Sequence, residues 1–142
     1  GQRILDMGCG TGVLAIAALK LGAASVVAID IDPWSAENTR NNLDLNGLKA
    51  GADVTVLQGD ADALEGFPQA FDGMCANINR NILLGDWSAY DRALVPGAWV
   101  LMSGFFPSDV DRLREAAALH GWELIDQWER EGWACVQWRK SA

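Results

Sequence analysis

Along this 142-residue chain the period of apolar positions changes several times, and each change marks an element. Ile4 and Leu5 open a short apolar run that stops at Gly8, Gly10 and Gly12. Val13, Leu14, Ile16, Ala17 and Leu21 then recur at helical spacing, which predicts a helix over about 11–21 with Gly22 as its stop. Residues 25–29 are a continuous apolar strand of the kind buried on both faces of a parallel sheet, ending at Asp30. Asp32 and Pro33 read as the N-cap and first-turn proline of a second helix over 34–46, closed by Gly47.

A third strand over 54–58 runs into Gly59 and Asp60, and 61–70 reads as a short irregular connection. A fourth strand over 71–76 delivers Asn77-Ile78-Asn79-Arg80-Asn81 to its end, and a helix over 82–94, ended by Pro96-Gly97, follows. The fifth strand is expected over 98–103. Ser108 is expected to cap a helix over 109–120, with Val110, Leu113 and Ala117 on one face and Gly121 as its stop. Segments 122–128 and 133–138 alternate as two strands about Glu129-Arg130-Glu131-Gly132. The order predicts one α/β domain over 1–142: a doubly wound, mostly parallel seven-stranded sheet with an antiparallel C-terminal edge hairpin.

The glycine turn narrows the chemistry. A dinucleotide fingerprint, G-x-G-x-x-G, needs a third glycine at position 13 after Gly8 and Gly10, and Val13 stands there. The motif is instead D-x-G-x-G-x-G, with Asp6 before the turn. A carboxylate there repels a pyrophosphate and attracts a cationic amino group. S-adenosylmethionine carries an ammonium and a sulfonium and has no phosphate, so it fits Asp6, Gly8, Gly10 and Gly12. Asp30, 22 positions after Gly8, stands where an acid accepts two hydrogen bonds from a ribose diol. Asp60 offers a carboxylate to an adenine amino group. Gly8, Asp30, Asp60 and Asn77 all close strands at the carboxyl rim of the sheet, where doubly wound folds bind ligands.

Composition removes alternatives. The formal net charge of -8 argues against a nucleic-acid surface and suits a basic partner. No apolar run is long enough to span a bilayer and nothing resembles a signal peptide, so a cytoplasmic location is expected. Cys9, Cys75 and Cys135 are unpaired in spacing and read as reduced, mostly buried thiols; with His120 the lone histidine, no metal site is expected. The five strand tryptophans, Trp99, Trp122, Trp128, Trp133 and Trp138, are expected to pack in the sheet. Trp34 and Trp87 are expected to cover helix–sheet contacts, and core packing is the expected role of Phe105 and Phe106.

The stretches ILDMGCGTGVLAIAALKLGA, VVAIDIDPWSAENTRNN, CANINRNILL, LVPGAWVLMSGF and EGWACVQWRK together resemble the class I S-adenosylmethionine-dependent methyltransferases. More narrowly, they resemble the catalytic domain of the ribosomal protein L-eleven (PrmA-type) methyltransferases. The resemblance covers essentially the whole chain. It implies a Rossmann-like fold and methyl transfer from S-adenosylmethionine to lysine ε-amines and a terminal α-amine of a basic large-subunit ribosomal protein. It places Gly8 against the methionine part of the cofactor, Asp30 at the ribose and Asn77 at the transfer site. A neutral amide at Asn77 can accept a hydrogen bond from an amine without trapping it as ammonium. A helix N-cap is the structural alternative for Asn77. The family carries an N-terminal substrate-recognition domain that is absent from these residues, so the chain is expected to be a segment of a longer protein. Two alternatives stay open: a class I methyltransferase for another protein or a small molecule, and a cofactor-binding fragment inactive without that domain. The family commonly has leucine after Ala-Asn-Ile, whereas Asn79 and then Arg80 stand here.

Overall fold

The computed structural model describes residues 1–51 and 53–142. Seven strands form one sheet in the order β3-β2-β1-β4-β5-β7-β6. They are β1 (Arg3–Met7), β2 (Ser25–Asp30), β3 (Val54–Gln58), β4 (Phe71–Asn77), β5 (Leu94–Phe105), β6 (Trp122–Arg130) and β7 (Trp133–Lys140). All neighbouring pairs from β3 to β5 are parallel, and β7 runs antiparallel to both β5 and β6. The doubly wound sheet with one reversed strand is therefore the architecture that the sequence pattern predicted.

Helices α1 (Val13–Lys20) and α2 (Pro33–Leu45) cover one face, where Ile4, Val26 and Ala28 meet Ala15, and Val54 and Val56 meet Ala36 and Leu43. Helices α3 (Arg80–Ala93) and α4 (Val110–Leu119) cover the other, over Leu5, Met7, Met74 and Val100. Trp87 anchors that second layer, with ring centroids 4.8 Å from Trp122 and 5.8 Å from Trp138. Chain order runs outward from β1 to β3 and then crosses to β4, on the other side of β1. Consequently the carboxyl ends of β1 and β4 flank the switch point, a natural crevice.

Several local expectations are corrected. Helix α1 does not seat through Val13, Leu14 and Leu21, which are exposed; it packs through Ala15, Ala18 and Leu19, a row at i, i+3 and i+4. The connection after β3 is not wholly irregular: Ala61–Gly66 form a 3-10 turn capped by Asp60. Helix α3 starts at Arg80 because the Asn79 side chain accepts the Ile82 amide at 3.1 Å. It ends at Ala93, and Pro96-Gly97 lie inside β5 rather than before it. The register jumps there from Phe71↔Leu94 to Gly73↔Trp99, and a bulge tolerates a proline that cannot donate to the ladder.

Ser108 caps nothing, since Pro107–Asp109 form a 3-10 turn in which Asp109 accepts the Phe106 amide. Trp34 is exposed rather than covering a helix–sheet contact, and Phe106, Trp128 and Trp133 lie half in solvent. Phe105, Trp87, Trp122 and Trp138 are buried as expected. The three cysteines are free thiols, Cys9 buried and the other two half-buried. Among the described residues no helix is long and apolar enough to cross a membrane.

Candidate active site

Gly8, Asp30, Asp60 and Asn77, predicted from four separate strand ends, line one cleft of about 320 Å³. Of the glycine turn only Gly8 borders the cleft, Gly10 and Gly12 lying outside its lining, and the turn is braced from α2. Thr39 donates its hydroxyl to the Gly10 carbonyl at 3.0 Å, and Asn42 donates to the Thr11 carbonyl at 2.8 Å. Gly8, Gly10 and Gly12 all have positive φ. At Gly8 a β-carbon would also lie 2.9 Å from Ile78 Cγ1, and at Gly12 2.8 Å from Thr39 Cγ2. Glycine is therefore required both for the turn and for its close approach to β4 and α2.

Asp30 is oriented by two backbone donors. The Gly10 amide reaches one carboxylate oxygen and the Asp32 amide the other, each at 2.9 Å. A carboxylate has about four lone-pair sites, so capacity for a vicinal diol remains. Asp32 is the N-cap of α2, its side chain accepting the Trp34 amide at 2.9 Å. Asp60 spends one oxygen on the Asp62 amide and still borders the cleft.

Asp6 stands apart from the others. It is buried on the α1 face of β1, opposite Ala28 and Cys75, and does not line the cleft. Neither of its oxygens makes a hydrogen bond of good geometry, and the Ala15 amide is only a weak partner. Burial pushes its pKa up to about 6, with a smaller downward pull from the Ala15 backbone and a further upward push from Asp30. A buried carboxyl so poorly partnered is unusual in a folded protein and calls for a reason beyond core packing.

Two cleft residues escaped the sequence reading. Asp86 and Tyr90 project from α3 in line with Ile82, at i+4 and i+8, and all three border the cleft. Burial raises the Asp86 pKa, and Asp60 and Asp62 raise it further. The Tyr90 hydroxyl is buried without a partner. The 82/86/90 spacing was visible as a helical row, but nothing in it said that the row faces a cleft rather than the core.

Asn77 does not cap α3, because Asn79 does, and its side chain is left at the rim. Ser103 donates its hydroxyl to Asn77 Oδ1 at 3.4 Å. Beyond Asn77 lies a second cavity of about 540 Å³, lined by Asn77, Ile78, Asn79, Ser103, Gly104 and Trp133. The segment 77–79 thus forms the partition between the two spaces, touching both. A donor molecule on one side and an acceptor on the other would meet at this partition, the geometry that proximity catalysis needs.

Over 137 residues the chain is 50% identical to a ribosomal protein L11 methyltransferase of Porphyromonas gingivalis, covering 96% of this chain and 46% of that protein. It is 33% identical over 141 residues to that of Thermotoga neapolitana, covering 99% of this chain and 51% of that protein. The chain spans about half the length of these curated relatives. Its fold superposes with a TM-score of 0.89 on the crystal structure of a ribosomal protein L11 methylase from Lactobacillus delbrueckii subsp. bulgaricus. That pair is 29% identical, with 99% of this chain and 70% of the other aligned. Residues 1–141 match the family described as Ribosomal protein L11 methyltransferase (PrmA), and the chain belongs to that family.

Proposed function

We propose that this chain is the catalytic domain of a cytoplasmic protein that transfers methyl groups from S-adenosylmethionine to lysine ε-amines and a terminal α-amine of a basic large-subunit ribosomal protein. The observation that carries the reading is the partition at Asn77, with an acid-lined cleft bordered by Gly8 on one side and a second cavity on the other. Family membership and the relatives' names support the reaction and the substrate. The net charge of -8 favours a basic protein partner over nucleic acid. The relatives' greater length supports an additional N-terminal domain for substrate recognition.

The residues fit the cofactor. In this reading Asp30 accepts the ribose diol, Asp60 meets the adenine amino group, and Gly8, Gly10 and Gly12 admit the methionine part. Asp6 adds a negative charge beneath the methionine ammonium. When bound, S-adenosylmethionine would supply a sulfonium-activated methyl carbon for an amine lone pair to bond to, with a neutral thioether as the leaving group. The amine must be neutral to attack, and its ordinary pKa is about 10.4. Desolvation at the partition lowers that value, and the amine's proton leaves to solvent. Asn77 Oδ1 accepts a hydrogen bond from the amine and aims its lone pair. As a neutral amide it does not stabilise the ammonium form.

Calorimetric titration with S-adenosylmethionine and mass spectrometry of the purified ribosomal protein after incubation test this reading. Saturable binding and stepwise mass gains, each of one methylene, are expected. Binding without transfer by the full-length protein would leave only a cofactor-binding role.

A further inference from the structure

One side chain that lines the second cavity, Trp133, has no part in the fold's core or in the roles above. Trp133 opens β7 immediately after the reverse turn at Glu131-Gly132, both with positive φ. Its ring stacks on Phe106 with centroids 4.9 Å apart and planes 17° from parallel. Both rings stay about half exposed, at 52% and 54%, whereas Trp87, Trp122 and Trp138 are sealed inside. A stacked aromatic pair left open beside Asn77 is therefore not explained by sheet packing.

The pair is also tied to the other lip of the cavity. Asp109 Oδ2 accepts the Phe106 backbone amide at 2.9 Å, and its Oδ1 accepts from Arg80 Nη1 at 2.9 Å. Arg80 directly follows Asn79 and begins α3. A continuous chain of contacts, Asn79-Arg80 to Asp109 to Phe106 to Trp133, thus spans the cavity's two walls. The Arg80–Asp109 pair is mostly buried, with side-chain exposures of 31% and 15%, so solvent screens it less than a surface pair.

We propose, on the basis of the amine-methylating reading above, that Trp133 backed by Phe106 is the specificity-determining wall of the acceptor site, held in place by the Arg80–Asp109 pair. The indole face receives the alkyl stem of a lysine that arrives cationic, and points the amine at Asn77 once desolvation has removed its proton. An aromatic face attracts an ammonium through its quadrupole and tolerates one that has become bulkier and more apolar. The same wall therefore accepts the mono- and dimethylated amine for a second and third transfer. Exposed Glu131, in the turn before Trp133, supplies complementary charge for a basic segment, next to Arg130, which pairs with Trp133 across the hairpin. Arg80 and Asp109 are positioning residues: they touch no reacting atom and act through Phe106.

The test is steady-state kinetics on the ribosomal protein with the full-length protein that, in this reading, carries the chain. Variants are Trp133→Ala, Trp133→Phe, Arg80→Gln and the Trp133→Ala/Arg80→Gln double. Trp133→Ala should raise KM for the ribosomal protein about three- to tenfold. It should also shift the products toward lower methylation states by mass spectrometry, while the calorimetric Kd for S-adenosylmethionine and the Tm stay unchanged. Trp133→Phe should restore part of both effects. Arg80→Gln should raise KM in the same direction, and the double variant should be no worse than Trp133→Ala alone. An unchanged KM and product distribution in Trp133→Ala, or a parallel loss of cofactor affinity, overturns the proposal while leaving the methyltransferase reading intact. Independent, multiplicative effects in the double variant overturn the positioning role of Arg80. No transfer by the unmodified protein overturns the underlying reading and this one with it.

Discussion

A β-carbon placed on Gly104 would lie 2.7 Å from Asn77 Oδ1 and 2.9 Å from the Ile78 amide nitrogen. Gly104 also has a φ of +95°, a left-handed backbone that side-chain-bearing residues rarely adopt. The end of β5 is therefore a cast against which the Asn77 side chain is held. Gly104→Ala should displace that amide and cut kcat about a hundredfold, the cost of misplacing a reacting group by roughly 1 Å. Cofactor Kd, measured by calorimetry, should change little, because Gly104 does not line the cofactor cleft.

Replacing the amide itself separates aim from charge. Asn77→Ala should lower kcat and leave cofactor affinity near its starting value. Asn77→Asp should move the pH–rate profile toward alkaline values, since an adjacent carboxylate favours the ammonium form of the acceptor. A profile that coincides with that of the unmodified protein would remove Asn77 from contact with the amine.

Asp30 ties the glycine turn to the cleft, with one oxygen on the Gly10 amide and the other on the Asp32 amide. Asp30→Ala should weaken S-adenosylmethionine binding at least tenfold, consistent with about 1.5–3 kcal/mol for a hydrogen bond to a charged group. Calorimetry reads this directly. An affinity within twofold of the original would place the ribose elsewhere.

Asp6 makes a pH-dependent contribution of definite sign. Burial pushes its pKa in the folded state up to about 6 from an ordinary 3.8. Between about pH 4 and 6 the folded state keeps a proton that the unfolded chain has lost, so stability falls as pH rises through that window. Above it, the cost of the buried charge is fully present, up to about 3 kcal/mol for a shift of this size. Asp6→Asn should therefore raise the Tm of the ligand-free protein at pH 7.5 and have little effect near pH 4. With saturating S-adenosylmethionine the gain at pH 7.5 should shrink, because the cofactor's ammonium offsets the charge that the substitution removes. Thermal melts at the two pH values, with and without cofactor, measure both effects.

Much of the architecture was legible along the chain because its signals are local. Continuous apolar runs such as 25–29, stopped by Asp30, announce strands buried on both faces, and Asp32-Pro33 announces a helix start. The D-x-G-x-G-x-G turn likewise carries its own chemistry, since three positive-φ positions in five residues are a backbone requirement rather than a packing one.

The errors fell where side chains compete for partners distant in sequence. Asn77 is the cap candidate along the chain until the start of α3 gives that task to Asn79 and leaves Asn77 at the rim. Val13 and Leu14 look like core residues until the sheet selects Ala15, Ala18 and Leu19 instead. Trp133 and Trp138 share one alternating strand, yet Trp138 is buried and Trp133 lies beside Asn77 and Phe106. By itself the sequence determined the strands, the order of elements and the acids that close them, because hydrophobic period and turn chemistry are properties of neighbouring residues. Only the tertiary structure decided which of those side chains meet: parallel registry brings four strand ends to one rim, and the crossover from β3 to β4 sets Asn77 between two cavities.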